Sequence, residues 1–104
     1  MRTLFNLEKN YGQNKWLFEK KKEELRVLKE SYKEFLRFRG LPLDKGWEIM
    51  IMGEINEVGE DDGSLFGKVD YSKTTYSIKV KATLWIENDK EANYWEERFK
   101  ETIN

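Results

Sequence analysis

The chain has 104 residues, of which 38% are charged and 38% apolar, with a net charge of −1; this is the size and balance of one domain with one core. It contains neither cysteine nor histidine, which excludes disulfides, thiolate zinc sites, cysteine nucleophiles and serine triads, and removes the commonest general base and metal ligand. Residues 1–45 carry twelve Lys and Arg against seven Asp and Glu, and residues 46–104 carry seven against thirteen, so the charge is two-sided.

Residues 1–13 form an N-terminal arm whose conformation the pattern leaves open. Its start is too short and polar for a signal peptide, and no run approaches the roughly 20 apolar residues of a membrane span. Without cysteine, the expectation is a cytoplasmic protein with no membrane partner.

Asn14 can cap a long helix over residues 15–39, because its side-chain oxygen can accept from an unpaired amide of the first turn. Phe18, Leu25, Leu28, Tyr32 and Phe35 share one stripe. Lys21, Lys22, Glu23 and Glu24 interrupt that stripe, which predicts a less buried first half. Lys20 with Glu24 and Arg26 with Glu30 are opposite charges four apart. Gly40 can take the left-handed conformation, Leu41 can fold back on Leu36, and Pro42 cannot continue the helix.

From Trp47 the period becomes two. Trp47, Ile49, Ile51 and Ile55 alternate with Glu48, Met50, Met52 and Glu54, and Gly53 reads as a bulge. Residues 59–64 compose a turn, followed by a short strand at 65–71. The next strand has Tyr76, Ile78, Val80, Ala82, Leu84 and Ile86 on one face and Ser77, Lys79, Lys81, Thr83 and Trp85 on the other. Asn88 with Glu91 matches a capping box for a last helix over 89–103, with Ala92, Trp95, Phe99 and Ile103 inward. The expected fold is one α+β domain: a long helix, a three-stranded antiparallel meander over 47–87 and a C-terminal helix.

That helix, three-strand, helix order resembles the double-stranded-RNA-binding domain. The resemblance implies a lysine cluster at the start of the last helix, where this chain has Asn88-Asp89-Lys90-Glu91-Ala92-Asn93 instead. Gly67-Lys68-Val69-Asp70-Tyr71, a strand, Asn88 and a helix ending Phe99-Lys100-Glu101-Thr102-Ile103 look like the stretch before the zinc-binding helix of small metallopeptidase-like domains. With no histidine, that likeness implies a non-catalytic relative.

No catalytic set, metal site or cofactor motif emerges. Asp61-Asp62-Gly63-Ser64 lacks the ligand spacing of a calcium loop, and Gly63-Ser64-Leu65-Phe66-Gly67 lacks the lysine and spacing of a P-loop. The carboxylates fall on exposed or turn positions, so no pair has the desolvated member that acid and base chemistry needs. The chain is therefore read as a non-enzyme.

Met50, Met52, Phe66 and Trp85 fall on the sheet face opposite the helices, and Met with aromatic anchors among charges is the composition of a protein interface. Lys79 and Lys81, or the acidic turn Glu57, Glu60, Asp61 and Asp62, would steer a partner. In size and composition the chain is similar to small accessory proteins of phages and mobile elements, anti-CRISPR proteins among them. That similarity implies a protein that occludes a surface of a larger host protein or ribonucleoprotein complex. Two rivals are a nucleic-acid binder using Lys20, Lys21, Lys22, Arg26, Lys29, Lys33 and Arg37 with the Lys79, Lys81 face, and a homo-oligomeric structural protein.

Overall fold

Nine residues at the amino terminus alternate outward and inward, and they form a strand. In the computed structural model, which describes residues 2–56 and 74–104, Arg2–Asn10 is strand β1. Phe5 is buried and Leu7 packs on the core, while Arg2, Leu4, Asn6 and Glu8 face the other way. The segment read as an arm is thus part of the sheet. The Asn10 side chain accepts from the Gly12 amide at 2.6 Å, and Gly12 (φ 60°) turns the chain into the next element.

Lys15–Arg39 is helix α1, and its ends follow the local chemistry. Asn14 Oδ1 accepts from the Leu17 amide at 3.0 Å. Gly40 (φ 71°) closes the last turn, and the Leu41 amide reaches back to the Leu36 carbonyl at 2.9 Å. The buried stripe is Phe18, Leu25, Leu28, Tyr32 and Leu36, with Phe35 only half-buried beside it. The first half is not less buried at its key position, because Phe18 is 1% exposed.

Glu48–Asn56 (β2) and Thr75–Trp85 (β3) complete an antiparallel sheet in the order β1-β3-β2. The expected α+β class stands, with two helices and three antiparallel strands; the third described strand is β1, so β3 lies in the centre. The expected turn at 59–64 and strand at 65–71 lie outside the described residues. A central strand suits the sequence of β3, where Ile78, Val80, Ala82 and Leu84 are buried, with Ile86 just beyond.

Gly53 is not a bulge. The pairing Met52 to Lys79, Gly53 to Ile78 and Glu54 to Ser77 runs without a break. Glycine stands there because a Cβ would lie 2.8 Å from Phe18 Cζ. The missing side chain is the space that lets the start of α1 seat its phenylalanine against the sheet.

Asp89–Ile103 is helix α2, with Trp95, Phe99 and Ile103 buried. Asn88 Oδ1 accepts from the Glu91 amide at 3.1 Å, which is half of the capping box. The Glu91 carboxylate does not return to the Asn88 amide. It accepts instead from the Glu87 amide and from both terminal nitrogens of Arg39, which also stacks 4.6 Å from the Phe35 ring centroid. This clamp ties the end of α1 to the start of α2. Both helices lie on one face of the sheet, α1 against β2 and β3, α2 against β1 and α1.

Tyr32 sits where these layers meet, with no exposed surface, its ring against Trp47, Trp95 and Phe35. Its hydroxyl accepts from the Trp85 amide at 2.7 Å and donates to the Trp85 carbonyl at 2.9 Å. The Tyr11 amide bonds to the Tyr76 carbonyl, so by ladder alternation the even residues of β3 bond toward β1 and the odd ones toward β2. Trp85 therefore turns its polar groups toward β2 one rung past the end of that strand. The Tyr32 hydroxyl supplies the missing rung.

Candidate functional site

The helices leave the other face of the sheet uncovered by any described element. From β1 it presents Leu4, Asn6 and Glu8; from β3 Lys79, Lys81 and Thr83; from β2 Glu48, Met50, Met52 and Glu54. Paired positions line up across the strands, so Asn6, Lys81 and Met50 form one row and Glu8, Lys79 and Met52 the next. Leu4 is 68% exposed, Met50 39% and Met52 38%. Such apolar exposure on a sheet face is costly unless something covers it in use.

The charges on this face are balanced. Lys79 lies 3.2 Å from Glu54. Lys81 is exposed and makes no ion pair with another described residue. Leu4 pairs with Thr83, one row from Lys81, so Leu4 and the two methionines stand on opposite edge strands with the lysines of the central strand between Asn6, Glu8 and the methionines.

Trp85 differs from the expectation of a free anchor. It is half-buried, with its indole against Gly46 on one side and the Arg2 guanidinium 5.0 Å from the ring centroid on the other. Its Nε1–H is buried and donates to no acceptor among the described residues. Gly46 (φ 88°) is the residue that makes room, since a Cβ there would come within 1.7 Å of Nε1. Phe66, Glu57, Glu60, Asp61 and Asp62 lie outside the described residues.

The cations of α1 are mostly matched. Lys21 pairs with Glu24, Lys22 with Glu19, Arg26 with Glu23, Lys33 with Glu30 and Arg37 with Glu34, each three residues apart. The four-apart pairs Lys20 with Glu24 and Arg26 with Glu30 do not form. Lys20 instead lies 5.1 Å from the Trp16 ring centroid, and Lys29 has no ion-pair partner among the described residues. α1 carries nine Lys and Arg against five Glu, so this pairing weakens the positive field the helix offers a phosphate backbone without cancelling it.

Two features escape the sequence pattern. Leu4 does not stand out in sequence because the inward row of its strand has only Phe5 and Leu7 as large apolar residues. Trp16, Val27 and Phe38 are exposed along α1 at intervals of eleven residues, roughly three turns, which puts them on one line opposite the buried stripe. That interval is readable in sequence once the inward stripe has been assigned.

Among the described residues there is no cluster of three or more metal-ligating side chains and no helix long and apolar enough to cross a membrane. The groups with distinctly raised pKa include the phenols of Tyr11 and Tyr32, both pushed up to about 12 chiefly by burial. Both hold structural hydrogen bonds, Tyr11 to the Ile103 carbonyl and Tyr32 to Trp85. The chain matches no protein-family model, no curated protein and no solved structure.

Proposed function

We propose that this chain is a non-catalytic protein-binding module that engages its partner through the outer face of the sheet. The observation that carries the reading is the set of exposed Leu4, Met50 and Met52 on a face from which both helices are absent. A flexible thioether surface flanked by a few charges is suited to packing against another protein, where a small number of apolar anchors supply most of the energy. Lys81 and the Lys79, Glu54 pair are placed to set orientation rather than affinity.

In its finer form the proposal is occlusion: the module covers a working surface of a larger host protein or ribonucleoprotein. Size and composition support that form. The paired cations of α1 favour it over direct binding of nucleic acid.

The test is affinity capture with the tagged chain from bacterial lysate, with and without nuclease. The reading predicts a stoichiometric protein that survives nuclease and stays bound as salt is raised, since apolar burial is little screened. Recovery of nucleic acid alone, lost on nuclease treatment and falling steeply with salt, would overturn it.

A further inference from the structure

The outer edge of β1 is a second surface, independent of the outer face, and its own sequence says what fits it. Among the described residues no strand pairs with that edge. The odd residues of β1 bond toward β3, so the amides and carbonyls of Arg2, Leu4, Asn6 and Glu8 point away from the sheet. An open row of this kind is a template for another strand.

We propose that the occupant is β1 of a second copy of this chain, paired antiparallel about a two-fold axis through Phe5, so that two sheets become one of six strands. Four observations converge on that register. Arg2 falls opposite Glu8 of the partner, twice by symmetry, on the outer face. Leu4 falls opposite Asn6 of the partner, and both belong to the set whose backbone groups point outward, so these pairs are the hydrogen-bonded ones. On the inner face Phe5 meets its symmetry mate and Thr3 meets Leu7 of the partner. The register two residues further along sets Leu4 against Glu8 and Thr3 against Lys9, and loses the charge match.

The fourth observation comes from the helix above. The Phe5 and Phe99 ring centroids are 5.7 Å apart, so the second half of α2 passes over β1 to one side of the axis. Arg98 and Thr102 border the groove beside α1, so Glu96 and Lys100 lie toward the opposite flank, beyond β1. They form an ion pair at 3.6 Å within one copy. Across the two-fold axis the helices run antiparallel and Glu96 of each copy faces Lys100 of the other. Strand edge and helix flank are self-complementary about the same axis, as a two-fold interface requires.

Sedimentation of the full chain tests this. The expected result is a species of about twice 12.6 kDa at micromolar concentrations. Asn6→Pro removes an amide that points away from β3 and should give a folded monomer. Arg2→Glu and Glu8→Arg should each be monomeric alone, because each puts like charges opposite one another, and should dimerise when mixed one to one. Circular dichroism checks that each variant folds. A wild-type monomer up to millimolar concentration, or a dimer that neither Asn6→Pro nor the charge variants weaken, would overturn the proposal.

Discussion

Removing the hydroxyl of Tyr32 measures how much a side chain contributes when it substitutes for a strand. Tyr32→Phe keeps the ring among Trp47, Trp95 and Phe35 but deprives both the Trp85 amide and its carbonyl of their partner. A buried group left unpaired costs about 1–3 kcal/mol, and a group that water can partly reach costs the lower part of that range. Two such groups at a half-buried position give about 2 kcal/mol. For a domain of this size that is a fall in Tm of about 8–16 °C. Urea unfolding followed by the fluorescence of the four tryptophans reads the difference directly. A loss below about 0.5 kcal/mol, the scatter of an ordinary surface substitution, would refute the claim that the hydroxyl completes the ladder.

The same hydroxyl predicts a pH dependence. The phenols of Tyr11 and Tyr32 sit near 12 in the folded chain against an ordinary 10.0. The unfolded chain therefore gives up these protons first, so the stability they contribute is complete below pH 10.0 and is lost as pH climbs toward 12. Urea midpoints should fall across that window, and fall less in Tyr11→Phe and Tyr32→Phe. Gly53→Ala puts a methyl against Phe18 and should cost about 1–3 kcal/mol by overpacking, most of it recovered in the double variant with Phe18→Leu. Gly46→Ala combines a left-handed backbone with a clash on the Trp85 indole and should cost more than about 2 kcal/mol, read as a drop in urea midpoint.

Features with a local cause could be read from sequence. Asn14, Gly40 and Leu41 act within one turn of themselves, and they cap α1 as their chemistry dictates. The inward row of β3 and the stripe of α2 are long enough for their periods to show. β1 was not legible because its inward row, Thr3, Phe5, Leu7 and Lys9, holds only two large apolar residues; tertiary pairing with β3 makes it a strand.

Other differences are failures of the same kind. Gly53 interrupts a pattern, and sequence cannot distinguish a bulge from a residue that yields space to a distant phenylalanine. Trp85 occupies an outward position, but its large ring folds over Gly46 and under Arg2, contacts set by a turn and a strand far apart in sequence. The charges of α1 have partners both three and four residues away, and only the side-chain geometry chooses between them. For the outer face, alternation alone places Met50 and Met52 outward, and their exposure agrees.

The central claim concerns which surface binds, and a comparison of baits tests it most directly. Leu4→Lys, Met50→Lys and Met52→Lys together remove the exposed apolar anchors of the sheet face, while Arg26→Ala with Lys33→Ala alters only α1. Folding of both is verified by circular dichroism and urea midpoint, and the protein captured in the presence of nuclease is quantified against the wild-type bait. The account predicts that the sheet-face variant loses at least about tenfold of the captured partner, equivalent to about 1.4 kcal/mol, and that the α1 variant captures as the wild type does. Full capture by the sheet-face variant, with loss in the α1 variant, would contradict it.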